Sequence, residues 1–200
     1  MARIAEINGM LAPPRAEPAT ATSTTFGTAL NQATGTAGAV AAPALGWNAA
    51  AGGGGGAGQR MLAAAQAELG QAEQPPGSND SPRIAEYRTA TAGSGVGPWC
   101  AYFVSWAAKQ AGAPVGEQGQ GFGAVSALYA WGERTGRALP AGSTPQPGDV
   151  IVWGGRHIGI VEAVLPDGRI QTIEGNSSDQ VSRRTYGADG GGATGYVRLG

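Results

Sequence analysis

Good helix formers run unbroken from Gln59 to Leu69 (QRMLAAAQAEL) and stop at Gly70, a residue suited to closing a helix. Gln74 to Ser81 (QPPGSNDS) reads as a loop, and Pro82 suits the first turn of a second, short helix through Tyr87. From Cys100 to Ala111 the chain is largely apolar and meets no breaker before Gly112, which predicts a third helix with Cys100 in its first turn. Val125 to Thr135, closed by Gly136, predicts a fourth. After the turn PQPGD the pattern becomes that of strands: Val150–Trp153, His157–Val164 and Arg169–Glu174, the last two joined by the tight turn Pro166-Asp167-Gly168. Tyr196–Leu199 predicts a last strand. Helices followed by an antiparallel sheet make the fold class α+β.

The first part of the chain has a different texture. No charged residue stands between Pro18 and Gly58, where Ala, Gly and Thr dominate and five glycines follow Ala51. So few large side chains cannot offset the entropy of ordering, so residues 1–58 read as a disordered tail with a glycine linker and 59–200 as the folded domain. Two patches, Ile4/Ile7/Leu11 and Phe26/Leu30/Ala33, have helical spacing. They suit a transient helix or a segment docked on a partner.

A net charge of −1 and a charged fraction of 14% argue against a nucleic-acid binder. A single Cys excludes an internal disulfide and a Cys-rich zinc site, and a single His excludes a multi-His metal centre. No stretch has the length of a membrane span. Glu6 and Asn8 interrupt the segment where a signal peptide would be apolar, so no signal peptide is recognisable and the delivery route stays open.

The lone Cys and the lone His carry the candidate chemistry. Most single cysteines are buried small hydrophobes. Cys100, however, opens a helix after a glycine-rich approach, where free N–H groups and the helix dipole favour an anion and a thiolate nucleophile. His157 begins a strand rather than lying mid-sheet, and the turn at 166–168 brings Glu174 and Asn176 back to the same rim. A carboxylate or amide beside an imidazole fixes its tautomer and steadies the imidazolium. Trp99, Tyr102 and Trp153 stand as cleft-lining or core aromatics, with both readings open.

The run Trp99-Cys100-Ala101-Tyr102-Phe103-Val104-Ser105-Trp106, then Pro147-Gly148-Asp149-Val150-Ile151, His157-Ile158-Gly159-Ile160-Val161 and Glu174-Gly175-Asn176 resembles the CHAP domain, the cysteine, histidine-dependent amidohydrolases/peptidases related to the NlpC/P60 hydrolases. The resemblance covers about residues 60–200 and leaves the tail unexplained. It implies a papain-like α+β fold, with the nucleophile at a helix start packed on an antiparallel sheet. It also implies peptidoglycan as substrate, with Cys100 as nucleophile, His157 as base, and Glu174 and Asn176 orienting or polarising. Action would then be at the cell wall or outside the cell. Some family members carry an acidic calcium loop before the nucleophile. Only Asn79 and Asp80 stand in that region here, so neither a metal nor another cofactor is expected.

The expected activity is amide hydrolysis through a thioester, as an N-acetylmuramoyl-L-alanine amidase or a peptide endopeptidase, and the residues do not distinguish the two. A non-catalytic wall-binding or assembly module of a phage, export or flagellar apparatus is the reading from a different class.

Overall fold

The protein is seen in a computed structural model that describes residues 56–200. The tail expected over residues 1–58, including the patches around Ile4 and Phe26, lies outside the described residues except for Gly56–Gly58.

Helix α1 (Ala57–Gln66) begins two residues inside the expected linker. Gly58 is buried against Gly148, where a Cβ would come within 3.0 Å of the Gly148 carbonyl oxygen. Its N–H donates to the Gly200 carbonyl at 3.2 Å. This glycine is therefore a packing residue that lets two backbones touch. The helix also ends earlier than its composition suggests. Gly70, with φ +85, turns the chain so that its N–H donates to Val181 O at 2.9 Å.

Helix α2 (Pro82–Arg88) is capped by Ser81, whose hydroxyl accepts from the Ile84 N–H at 3.2 Å. Helix α3 (Cys100–Gln110) is buried from Cys100 to Ala108. Helix α4 (Val125–Arg134) follows. Tyr87 joins α2 to α3, its ring lying 5.3 Å from Phe103 and 5.0 Å from Trp106. Its hydroxyl donates to Glu68 at 2.6 Å, and the Arg83 guanidinium grips the same carboxylate. The buried acid is thereby paired and hydrogen-bonded, the condition under which such a charge is tolerated.

The six strands form one antiparallel sheet in the order β1-β6-β2-β3-β4-β5. They are β1 (Ala138–Pro140), β2 (Val150–Trp153), β3 (His157–Val164), β4 (Ile170–Glu174), β5 (Ser182–Tyr186) and β6 (Gly195–Val197). The helix-then-sheet order expected of an α+β protein holds. Strands β1 and β5 are additions to it, for a physical reason. Both are edge strands, β1 of three residues ending in proline and β5 with the sequence SRRTY. β1 is too short to read as a run and β5 is mostly polar, because an edge exposed to water favours short, charged or proline-bearing segments.

Alternation along the strands divides the apolar residues between two faces. Val150, Val152, Ile158, Ile160 and Ile173 pack with the helices, around Phe103 and Trp99. Ile151, Trp153, Val161, Ile170 and Tyr196 form a second cluster on the other face.

Candidate active site

Cys100 is the first residue of α3, and Trp99 is fully buried beside it. Trp99 O accepts the Phe103 N–H at 3.0 Å, the first hydrogen bond of the helix ladder. The N–H groups of Cys100 and Ala101 precede that bond, so neither has a partner inside the helix. The approach of strand β4 to this helix start depends on Gly175. A Cβ there would lie 2.6 Å from the Phe103 Cβ and 2.9 Å from the Trp99 ring.

His157 starts β3, and its Nε2 lies 2.8 Å from Glu174 Oε2. Glu174 Oε1 accepts the Thr172 hydroxyl at 2.6 Å. The carboxylate is only 1% exposed, so its hydrogen bonds decide its charge. Burial pushes its pKa up, but the bonds from His157 and Thr172 and the imidazolium charge outweigh that and hold it below the usual value. Burial also disfavours charge on His157. Hydrogen bonds to Cys100 and Glu174, and the charges of both, prevail and hold the imidazole up at about 9. Nε2 being taken by Glu174, Nδ1 is the nitrogen left for the thiol. Trp153 stacks on the imidazole at 5.5 Å with 24° between the planes, and its own Nε1 donates to Gly190 O at 2.7 Å.

Glu174 reaches His157 across Gly159. A Cβ on that glycine would lie 2.7 Å from Glu174 Cγ, inside the van der Waals limit. Gly159 therefore makes the room in which the carboxylate lies. A lone glycine within the run His-Ile-Gly-Ile-Val is the available sequence signal for it, since glycine in a strand marks a close approach.

Asn176 is placed differently. Its φ of 54 is left-handed, so its side chain leaves the alternation that carries Glu174 towards the imidazole. With the amide turned to satisfy both ends, Oδ1 accepts the Trp99 N–H at 3.2 Å and Nδ2 donates to Glu73 Oε1 at 3.3 Å. Turned the other way, Nδ2 donates to Asn79 Oδ1 at 3.4 Å. The structure thus brings Cys100, His157 and Glu174 together and puts Asn176 on the residue before Cys100. Glu73, which nothing in the sequence pattern marks out, is 3% exposed and accepts from Trp99 Nε1 at 2.9 Å and from the Asn79 N–H at 2.7 Å.

The three aromatics considered for the cleft are buried. Trp99 belongs to the core, Tyr102 donates its hydroxyl to Gly95 O at 3.0 Å, and Trp153 backs the imidazole. Asp80 pairs with Arg88 at 2.5 Å. Among the described residues no three Cys, His, Asp or Glu side chains gather as a metal site, and no helix is long and apolar enough to cross a membrane.

Among solved structures, the chain is similar to an N-acetylmuramoyl-L-alanine amidase from Staphylococcus aureus, at 20% identity and a TM-score of 0.39, over 56% of this chain and 34% of that one. It is also similar to a mutated form of the resuscitation promoting factor interacting protein RipA, at 18% identity and a TM-score of 0.42, over 72% of this chain and 62% of the other. The chain therefore spans about a third of the first protein and less than two thirds of the second. No curated protein matches the sequence. The CHAP domain family model matches residues 91–176, from the glycine-rich approach to Cys100 through Asn176. That segment takes in all four candidate residues, and over it the chain is similar to a CHAP domain.

Proposed function

We propose that the protein hydrolyses an amide bond of peptidoglycan, at the cell wall, with Cys100 as nucleophile. The observation that carries this reading is the line from the thiol at the start of α3 through His157 to the buried carboxylate of Glu174. A raised imidazole beside a thiol favours the proton on nitrogen and the charge on sulfur.

In the first step the Cys100 thiolate attacks the carbonyl carbon and its electrons move to oxygen. The free N–H groups at the start of α3, on Cys100 and Ala101, and the positive end of the helix would stabilise that oxyanion. Collapse to the thioester breaks the C–N bond, and the imidazolium gives its proton to the leaving amine. Neutral His157 then takes a proton from water, hydroxide adds to the thioester, and the thiolate leaves with the free acid as product. Glu174 touches neither substrate nor sulfur. It orients the ring and steadies its charge, while Thr172 holds the carboxylate.

The test is digestion of purified sacculi by the full chain, with mass spectrometry of the released fragments. New termini at an amide bond, absent with Cys100→Ala, are expected. The same termini identify an amidase or an endopeptidase. Binding to sacculi with no new termini would replace this reading with that of a wall-binding module.

A further inference from the structure

Two arginines adjoin on β5 and are used differently. Arg183, on the helix side, clamps Glu162 with both Nε and Nη2, at 2.5 and 2.7 Å. Arg184 faces the other way, opposite Thr172, on the sheet face that carries Glu174. Its charge acts on the Tyr186 hydroxyl beside Glu174. Arg184 has no carboxylate partner among the described residues. Its Nε donates to Ser177 Oγ at 2.9 Å and its Nη2 to Ser178 Oγ at 2.7 Å. A guanidinium has five N–H donors, so the outer part of the fork is left without an acceptor among the described residues.

The serines belong to the turn that follows Glu174. Asn176, Ser178 and Asp179 there have φ of 54, 57 and 60, a left-handed conformation unfavourable for residues with side chains. Ser177 follows directly on Asn176, whose amide reaches the N–H of Trp99, the neighbour of Cys100. The anchor of the guanidinium is thus within a few residues' span of the nucleophile, on the order of 10 Å.

We propose that Arg184 is a substrate-binding residue that takes a free carboxylate of the peptidoglycan stem peptide in a two-pronged bond. This rests on the hydrolase reading above and names the substrate group that the site selects. The planar fork suits a carboxylate, and Ser177 and Ser178 fix it beforehand, so less freedom is lost on binding.

The experiment measures binding of stem peptides by full-length Cys100→Ala, which does not turn them over. The probes are one stem peptide with all its carboxylates free and a set in which each is amidated in turn. One amidation is expected to weaken binding about tenfold or more, the effect of a charge-assisted pair. In Cys100→Ala/Arg184→Gln the free peptide should weaken by as much, and that amidation should then make less than a twofold difference. Arg184→Lys should keep part of the preference. In the active enzyme, Arg184→Gln should raise KM for the free peptide and leave kcat within about twofold. An equal effect on every peptide, or a loss in kcat alone, would mean that Arg184 only braces the turn, and would overturn the proposal. No binding of any peptide would also overturn it. Selective binding without hydrolysis by the wild-type chain would keep the subsite and remove the hydrolase reading instead.

Discussion

Cys100 and His157 face each other from two regions that are held in different ways. The cysteine is carried by a helix buried from Cys100 to Ala108, against Tyr87, Phe103 and the apolar face of the sheet. The histidine stands at the start of a strand, 24% exposed, held by one carboxylate and one stacked indole. The thiol is placed by bulk packing, which is also what keeps the protein folded. The imidazole is placed by a few polar contacts and one missing side chain. Damage on the first side should register in stability, and damage on the second in rate and pH dependence.

The largest effect should come from the one atom on the packed side that packing does not need. Cys100→Ala is expected to lower the hydrolysis rate by at least about 10⁴-fold, since members of a catalytic unit lose activity together. Its unfolding midpoint in urea should stay close to wild type. Activity above a hundredth of wild type would remove Cys100 from the mechanism.

Phe103→Ala tests the packing itself. It is expected to cost about 3–5 kcal/mol in chemical denaturation, the range for truncating a buried phenylalanine. A cost below about 1 kcal/mol would show that α3 is held by something other than this cluster.

On the polar side, Gly159→Ala should reverse the signature. Its Cβ would press on Glu174 Cγ, so the carboxylate must move off the imidazole. A misplacement of about 1 Å is worth roughly 100-fold in rate, read as kcat on a soluble peptide. Unaltered kcat would mean that Glu174 has room elsewhere.

Glu174→Gln keeps the shape and removes the charge, with an expected partial loss of kcat, smaller than that of Cys100→Ala. Its pH behaviour follows from the two shifts. His157 is raised to about 9, so its contribution to stability is full below its ordinary 6.5 and drains as pH rises through 9. Glu174 is lowered, so its contribution is present above its ordinary 4.5 and is lost as pH falls below that. The stability difference between wild type and Glu174→Gln should therefore be greatest between pH 4.5 and 6.5. The alkaline limb of activity should move down from about 9 in the variant. A difference that grew above pH 9 would contradict the pairing.

The smallest effect concerns the boundary of the folded unit. A chain starting at Gly56 should melt like the full chain. One starting at Gln59 loses the Gly58 bond to Gly200 and should melt a few degrees lower. Equal melting of all three would place the boundary at 59 after all.

The packed side was the legible one. The stretch from Cys100 to Ala111 has one possible structure, because it is apolar, unbroken and long enough for a helix. The strands Val150–Trp153 and His157–Val164 were legible as apolar runs bounded by turn residues, and the one expected over Arg169–Glu174 begins one residue later, at Ile170. What escaped was set by tertiary contact. Strand β5 has no apolar signature because it is an edge. Glu73 is buried by partners far along the chain. Asn176 shares a rim with Glu174 in sequence, yet its left-handed backbone sends its amide to Trp99. Gly58 resembles the linker glycines before it, and only its contact with Gly148 distinguishes it.

That contact has a consequence for the path of the chain. Gly58 donates to Gly200, so the backbone enters the described domain and reaches its last residue at one corner. One backbone hydrogen bond thus ties the two ends of the described domain together. A pull on the chain at Gly58 or at Gly200 is therefore applied to the same corner of the fold.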